Sequence, residues 1–388
     1  MRIGIVTPRL NRREGQGRVN MEIATEAIRR GHDVVVYTED AEFLTHDPNR
    51  FQPVLSPPPA WLPTRFVRDQ LLALRTLSQL RDEKSRCDVL LANGFVTWAR
   101  CDVNAVHFVH SAWVRSAYHP WQLKRDLRSL YAKSYNSLNA ALEKRALRRS
   151  ARIVAVSDSV RRDLISIGVP ADRINVITNG VDAEEFQPGP SERERFGLPL
   201  GVPIALFAGD LRTPRKNLDT VLRALPMVPR LHLAVAGHHR GTPYPDLAQS
   251  LGVAHRVHFI GFQRDMPNLI RCADLFVFPS RYEACSLVLL EALASGVPVV
   301  TARSAGGSEL LEPDVGVILE DSEDHTTLAA TLRELVEDTE GRRAMARLAR
   351  ALAKRHTWQA MAGRYIDLLE DASAKGRMSG LGKRGLRP

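Results

Sequence analysis

The segment 276–301, FVFPSRYEACSLVLLEALASGVPVVT, constrains the fold more than any other part of the chain. Two apolar runs, residues 274–278 and 297–301, are typical of buried strands, and between them the pattern predicts a helix over residues 287–294 that Gly296 ends. A helix between two parallel strands is the repeating unit of an α/β sheet. We therefore expect a parallel sheet with a loop and a helix N-terminus at its carboxyl edge, where such sheets bind ligands.

Two acids flank the expected helix N-terminus. Glu283 lies in the loop and Glu291 in the helix, with seven residues between them. Free N–H groups at a helix N-terminus attract phosphate, and eight helical residues rise at most about 12 Å, which suits a nucleoside-diphosphate sugar held by its ribose and its sugar. The alternative is a helix-terminal acid plus a solvated one. Glu291, however, lies within LVLLEALA, where a buried carboxylate needs a partner.

Strands and helices alternate in two series, which predicts two α/β domains with parallel sheets. In the first half we expect strands at residues 2–7, 33–38, 88–92, 104–110, 152–157 and 174–178. In the second half we expect them at residues 203–208, 231–236, 256–260, 274–278, 297–301 and 316–319. The segment 186–194, with two prolines and a glycine, predicts a linker between the two series.

The Glu283–Glu291 spacing resembles the Glu-x7-Glu signature of family-four glycosyltransferases. The resemblance implies the GT-B fold, an α/β architecture of two facing Rossmann-like domains with parallel sheets and an interdomain cleft. It implies an N-terminal acceptor-binding domain of residues 1–186 plus 358–374, because the family's last helix crosses back to the first domain. Residues 187–357 would form the nucleotide-sugar-binding domain. Residues 375–388, basic and glycine-rich, are expected to be a disordered tail.

A basic loop follows the first strand of the second series. Arg212, Arg215 and Lys216 lie there, and cations at this edge can stabilise the charge on a departing diphosphate without a metal. Relatives carry an arginine directly after the glycine and a lysine further on. Lys216 matches that lysine, Asp210 stands at the arginine position, and Arg212 is expected to replace it. The alternative is a solvated basic turn.

The start of the signature helix supplies backbone donors. We expect the N–H groups of Ser286, Leu287 and Val288 to contact the same phosphates, although a helix cap alone would also explain the serine. Most relatives have glycine-phenylalanine-glycine where this chain has Ala284, Cys285 and Ser286, so donor preference cannot be transferred. Cys285 is interpreted as a packed thiol and not as a nucleophile.

Two glycines precede the first predicted helix, residues 20–30. Gly15 and Gly17 would permit close approach to a phosphate or to the transferred sugar. A flexible turn without a ligand is the alternative. A dinucleotide fingerprint is excluded, because Asn20 replaces its third glycine and the glycines do not directly follow the strand.

Three further side chains are candidates for the same site. His107 and His110 end a predicted strand, and the resemblance implies that His110 contacts the donor sugar, whereas a satisfied structural histidine is the alternative. Phe262 follows a strand and would border the nucleotide base or pack in the core. Glu309 aligns with a family acid near the donor.

Positive charge is concentrated in residues 115–149. The formal net charge of the chain is +10, and this stretch has nine basic residues against two acids. Leucines recur at helical spacing in it, at positions 123, 127, 130, 138 and 142. The pattern indicates either a basic amphipathic helix that rests on an anionic membrane surface or a core-facing helix with a solvated basic face. No nucleic-acid-binding motif is recognisable.

Composition limits the remaining possibilities. No apolar stretch is long enough to span a membrane, and the four cysteines are scattered without metal-ligand spacing, so we expect a reduced cytoplasmic protein without structural zinc. No Asp-x-Asp occurs in the chain, which is consistent with chemistry that needs no metal, and we expect no cofactor.

The resemblance to family-four glycosyltransferases thus implies a retaining, metal-independent glycosyltransferase. It would move a hexose from a nucleotide sugar to a hydroxyl of a glycan or lipid-linked acceptor, in cell-surface polysaccharide or glycolipid synthesis, with the enzyme peripheral on the inner face of the membrane. The alternatives are a sugar-nucleotide epimerase on the same scaffold and a non-catalytic membrane- or glycan-binding module.

Overall fold

The computed structural model describes residues 1–12, 14–42, 47–59, 61–62, 64–81 and 87–378. The chain forms two compact units, Met1–Asn179 together with the last helix, and Gly180–Thr357. The boundary falls before the proline-containing segment 186–194, because Phe186 and Leu198 already pack in the core of the second unit.

Each unit contains a parallel sheet. The strands of the first unit are β1 (Arg2–Val6), β2 (Arg9–Leu10), β3 (Asp33–Thr38), β4 (Asp40–Ala41), β5 (Phe51–Leu55), β6 (Val89–Asn93), β7 (Val103–Val106), β8 (Arg152–Ala155) and β9 (Ile174–Val176). Those of the second unit are β10 (Ile204–Ala208), β11 (His232–Ala236), β12 (Val257–Gly261), β13 (Leu275–Phe278), β14 (Val299–Ala302) and β15 (Gly316–Leu319). The main sheets have the orders β5-β3-β1-β6-β7-β8-β9 and β12-β11-β10-β13-β14-β15.

Helices connect these strands. They are α1 (Gly15–Arg29), α2 (Arg65–Leu80), α3 (His110–Arg115), α4 (Pro120–Leu123), α5 (Leu127–Arg149), α6 (Asp158–Ser166), α7 (Leu218–Ala224), α8 (Tyr244–Ser250), α9 (Met266–Ile270), α10 (Leu287–Ala294), α11 (His325–Glu337), α12 (Thr339–Arg355) and α13 (Trp358–Met378). None of the helices in the described ranges is long and apolar enough to cross a membrane.

The signature segment has the predicted architecture. Strands β13 and β14 pair in parallel, with Phe276 opposite Val299, and α10 has the bounds expected from the sequence. Ser286 caps the helix, and Gly296 follows its end in the left-handed conformation, at φ 70°. The prediction of an α/β fold with two parallel sheets is therefore confirmed.

Helix α1 begins earlier than predicted, so Gly15 and Gly17 lie in its first turn and not in a loop. The prediction that these two glycines lie in a loop, either ligand-binding or flexible, is therefore wrong. A Cβ atom on Gly17 would lie 2.9 Å from the backbone oxygen of Asn11. Glycine is used here because the chain entering the helix packs directly on its backbone.

The strand expected at residues 104–110 ends at Val106, and His110 begins α3 instead. Strand β5, by contrast, was not expected from the sequence. It contains Pro53 and lies at the edge of the first sheet, where a missing N–H group is tolerated.

The last helix, α13, packs against α1 in the first unit. Arg30 Nη1 donates to Asp367 Oδ1 at 2.6 Å and His32 Nε2 lies 2.9 Å from Glu370 Oε1. The helix continues to Met378, so the prediction of disorder is wrong for residues 375–378. Residues 379–388 of that expected tail lie outside the described residues.

Candidate active site

An ion pair links two loops of the second unit. Lys216 ends a short 3-10 turn after β10, and Glu283 lies in the loop after β13. Because these strands are adjacent and parallel, both loops leave the sheet at its carboxyl edge. Lys216 Nζ donates a hydrogen bond to Glu283 Oε2, and only 14% of each side chain is exposed. The structure therefore brings together the two residues that carry most of the predicted chemistry.

The surroundings of Lys216 make its charge costly to keep. Burial lowers the pKa of the Lys216 ammonium, and the negative charge of Glu283 opposes that shift. The ammonium also lies 5.0 Å from the ring centroid of Phe278, within the range of a cation–π interaction. A phosphate placed beside Lys216 would supply the additional negative charge that favours its ionised form.

Arg215, and not Arg212, is the arginine beside Glu283. Arg215 Nη1 lies 3.6 Å from Glu283 Oε1. Arg212 is 70% exposed and forms a two-point ion pair with Asp210, at 2.8 and 3.1 Å. The structure thus does not bring Arg212 to the Lys216–Glu283 pair, because Asp210, at the family's arginine position, holds it.

Arg281 connects the same two loops and was not recognised from the sequence. Its backbone N–H donates to the oxygen of Arg215 at 2.9 Å, and its Nη1 donates to the oxygen of Pro214 at 2.8 Å. The guanidinium pairs with Asp219 at 2.7 Å and with Glu323 at 2.6 Å, and only 7% of the Arg281 side chain is exposed. No sequence signal distinguishes this arginine from the exposed ones, since its partners come from distant segments.

The first turn of α10 has two amides in position for an anion. Ser286 Oγ accepts from the N–H of Leu289 at 3.4 Å, so the predicted cap is present. The backbone N–H of Ser286, which we expected to contact phosphate, instead donates to the oxygen of Gly306 at 3.0 Å. Leu287 and Val288 remain as first-turn donors, where a helix offers no internal acceptor.

Gly306 holds the signature loop in place. Its N–H donates to the oxygen of Glu283 at 2.9 Å, and a Cβ atom at this position would lie 2.0 Å from the oxygen of Ala284. Only glycine allows the two backbones to approach this closely. Glu309, the other acid assigned by resemblance, accepts from the N–H of Gly307 at 2.9 Å, within the same loop.

The remaining candidates of the second unit differ in exposure. Glu291 is half-buried in α10 and has an interaction partner. Phe262 is 61% exposed, so the core-packing alternative is wrong. Its ring stacks on His238, with centroids 5.2 Å apart and planes 6° apart. Both rings follow neighbouring strands at the carboxyl edge, where a base could extend the stack.

Comparison with known proteins identifies the family. Residues 13–185 match the model described as Glycosyltransferase Family 4, and residues 190–352 match Glycosyl transferases group 1. The chain is 30% identical over 382 residues to the D-inositol 3-phosphate glycosyltransferase of Mycolicibacterium smegmatis, covering 92% of this chain and 86% of that protein. The chain belongs to the family-four glycosyltransferases.

Solved structures agree on the fold of this glycosyltransferase. The sucrose-phosphate synthase of Thermosynechococcus elongatus matches with a TM-score of 0.78 at 18% identity, covering 96% of this chain and 99% of that one. Anabaena HepE, in complex with UDP and glucose, matches with a TM-score of 0.70 at 22% identity, covering 96% and 100%. These similarities confirm the GT-B class expected from the sequence.

In the first unit of the glycosyltransferase, His110 is held by α5. Its Nδ1 lies 3.0 Å from Asn136 Oδ1, and its backbone N–H donates to Glu143 Oε2 at 3.1 Å. Burial lowers the pKa of His110 and so favours the neutral form of the ring. Glu143 is only 2% exposed, and sequence reasoning missed it because the acid sits within a strongly basic helix. His107 follows β7, and burial lowers its pKa to about 4.

Proposed function

We propose that this glycosyltransferase moves a hexose from a nucleotide-diphosphate sugar to a hydroxyl of a glycan or lipid-linked acceptor, with retention of configuration and without a metal or cofactor. The observation that carries the proposal is the buried Lys216–Glu283 pair, with Arg215 beside it, at the carboxyl edge next to the first turn of α10. A diphosphate bound at this edge would be contacted by both cations and amide donors.

Binding of the donor would break the Lys216–Glu283 ion pair and give each of the two residues a new partner. Lys216 and Arg215 would move toward the diphosphate and neutralise the charge that grows as it departs. The amides of Leu287 and Val288 would bind the same oxygens. Glu283, released from Lys216, would accept hydrogen bonds from the sugar hydroxyls.

Other residues would hold the two ends of the donor. Glu291 would bind the ribose, and Phe262, stacked on His238, would extend its stack to the base. His110 would contact the sugar, with Gly15 and Gly17 in the first turn of α1 allowing its approach. Arg212 would contribute only after leaving Asp210, which makes it the less favoured of the two arginines.

The anomeric configuration of the sugar is retained if the acceptor attacks from the face that the nucleotide leaves. An oxygen of the departing phosphate would then take the proton of the acceptor hydroxyl, so the new bond forms on the side where the old one breaks. The mechanism needs no protein base on the opposite face. We propose a role in cell-surface polysaccharide or glycolipid synthesis, for which such acceptors are the substrates.

A thermal-shift panel of nucleotide sugars tests the donor site. A donor that binds only the folded protein raises its Tm. UDP-glucose belongs in the panel because a structure of similar fold, HepE, holds UDP and glucose. We expect Lys216→Ala to lose the shift and the exposed-surface control Arg343→Ala to keep it, since 67% of the Arg343 side chain is exposed. If no nucleotide sugar stabilises the wild-type protein, the proposal is wrong.

Product analysis separates transfer from its alternatives. An epimerase would convert the donor without an acceptor, whereas a transferase needs an acceptor to form product. The M. smegmatis relative is named for D-inositol 3-phosphate, which makes that compound one acceptor to test. NMR of the product reports the anomeric configuration, and chelator in the assay tests metal independence. A non-catalytic module would give no product under any of these conditions.

We also propose that α4 and α5 rest on the anionic inner surface of a membrane. Leu127 is 87% exposed, and Leu123, Leu130 and Leu138 are also exposed, so these four leucines do not pack in the core. Arg125 and Arg128 are also exposed in this stretch and add positive charge, whereas Lys124 Nζ pairs with Asp126 Oδ2 at 3.4 Å. Apolar side chains beside basic ones suit the boundary between lipid tails and anionic headgroups.

Flotation with liposomes tests the membrane proposal. We expect binding to vesicles with anionic lipid, weaker binding in high salt, and loss of binding in Leu127→Glu. Leu348→Glu is the matched control, because Leu348 is an exposed leucine of the second unit. Absence of binding at low salt, or equal effects of the two substitutions, would contradict the proposal.

A further inference from the structure

Asn217, which directly follows Lys216, has a backbone conformation that is costly for any residue with a side chain. Its φ is 65° and its ψ 43°, in the left-handed region. The residue is fully buried, and its Oδ1 accepts no hydrogen bond from any of the described residues, which is a second cost. Glycine would avoid both costs. We therefore expect the asparagine side chain to supply something here that glycine cannot.

Helix capping does not explain the side chain. Asn217 is the N-cap of α7, but it forms no side-chain cap hydrogen bond, whereas a usual N-cap side chain accepts from the first N–H groups of its helix. Here the amide is a donor. Its Nδ2 donates to the oxygen of Pro279 at 3.0 Å and to the oxygen of Ser322 at 2.7 Å, and it lies 3.3 Å from Glu323 Oε1. The side chain thus bonds to other loops and not to its own helix.

These contacts join three loops at the carboxyl edge of the second sheet. One acceptor of the Asn217 amide directly follows β13, in the loop that bears Glu283, and the other lies in the loop after β15. On the other side of Lys216, Ser280 Oγ donates to the oxygen of Arg215 at 3.0 Å. Hydrogen bonds at the residue before Lys216 and at the residue after it therefore hold the backbone of the lysine.

The stem of Lys216 is held as well. A Cβ atom on Gly209, which follows β10, would lie 3.3 Å from Lys216 Cγ, so the stem packs closely on that backbone. A lysine otherwise has a flexible four-carbon stem, and a cation stabilises a developing anion best when it is already in place. With its backbone and stem held, the ammonium needs little reorganisation to meet a departing diphosphate.

We propose that Asn217 is a positioning residue for the transfer reaction. Its side-chain amide holds the turn that bears Lys216, so that the ammonium is in place before the diphosphate departs. Asn217 acts through Lys216 and not on the substrate itself. The catalytic part of this inference rests on the proposed function, whereas the fixing of the turn depends on the second unit alone.

Asn217→Gly tests the catalytic part, because it relieves the backbone strain and removes the amide donor together. We expect kcat to fall by about tenfold to 10²-fold, the usual effect of misplacing a reacting group, with the KM for the donor within about twofold of wild type. Asp314→Gly is the matched control, since Asp314 also has a positive φ, 67°, but is exposed. An unchanged kcat in Asn217→Gly, or a loss equal to that in Asp314→Gly, would overturn the inference.

A double-mutant cycle distinguishes positioning from general support of the fold. In a Lys216→Ala background, Asn217→Gly should lower kcat by no more than about twofold, because no ammonium is left to position. An asparagine that only stabilises the fold would cost the same factor in both backgrounds. Equal factors would therefore contradict a role that acts through Lys216.

Hydrogen exchange of the full chain without substrate tests the fixing of the turn. In Asn217→Gly, peptides with residues 214–217 and 280–283 should exchange faster than in wild type, while those of α12 should not change. Unchanged exchange at both loops, or an equal rise throughout the second unit, would overturn the inference. Faster exchange at these loops in a protein that transfers no hexose would mean that the proposed function fails while Asn217 still holds the turn.

Discussion

The ammonium of Lys216 donates a hydrogen bond to the carboxylate of Glu283, a residue 67 positions away in the sequence. The contact is largely buried and joins the loops that follow two adjacent strands. A donor phosphate at this edge would compete with Glu283 for the same cation. The reaction rates of variants at Lys216 and Arg215 report how strongly these cations act on the donor.

Lys216→Ala is expected to lower turnover by about 10²–10³-fold, the usual effect of removing one preorganised donor to a developing anion. The measurement is the initial rate with the donor identified by thermal shift. Circular dichroism establishes that the variant is folded. A folded Lys216→Ala protein with the wild-type rate would refute the role of this lysine.

Arg215→Ala and Arg212→Ala should differ. Arg215 lies beside Glu283, so its removal is expected to lower kcat/KM by about tenfold or more. Arg212 is exposed and paired with Asp210, so its removal should leave kcat/KM within about twofold of wild type. The opposite ranking would support the assignment of Arg212 made from the sequence.

Arg281→Ala is expected to destabilise the protein by about 1–3 kcal/mol, because it removes a nearly buried guanidinium and leaves its hydrogen-bond acceptors unpaired. Urea unfolding measures the loss. Arg281→Lys should restore only part of it, since lysine cannot form the two-point pairs. Arg303→Ala, which breaks an exposed ion pair with Glu320, is the control and should cause no measurable loss.

The stability of the protein should depend on the ionisation of Glu143. Burial raises its pKa from 4.5 to about 8, so the folded state holds a proton that the unfolded state releases. This contribution is therefore fully present below pH 4.5 and is lost as pH rises through about 8. The loss should amount to several kcal/mol, since one pKa unit corresponds to about 1.4 kcal/mol.

Glu143→Gln isolates this effect, because glutamine can still accept from the N–H of His110 but cannot ionise. Urea unfolding of both proteins at pH 5 and pH 9 gives the difference due to this side chain alone. The glutamine variant should gain stability relative to wild type at the higher pH. Equal pH dependence in the two proteins would show that Glu143 does not hold the proton.

Local patterns predicted the elements whose signals lie close together in the sequence. The bounds of α10 agreed with the prediction because Ser286 caps its start and Gly296 follows its end. The start of α1 was predicted too late. Glu14 at its N-cap makes no side-chain cap hydrogen bond, and two glycines occupy its first turn, so the usual start signals are missing.

The sequence by itself determined the α/β class, the two parallel sheets and the loop that bears Glu283, because periodicity and capping depend on residues a few positions apart. Only the tertiary structure decided that Arg215 lies beside Glu283 in place of Arg212, that Arg281 joins two loops, and that Leu127, Leu130 and Leu138 of α5 are exposed whereas Leu147 is buried. These arrangements depend on contacts between distant segments, and the energies of such contacts are set by burial and geometry that no local pattern contains.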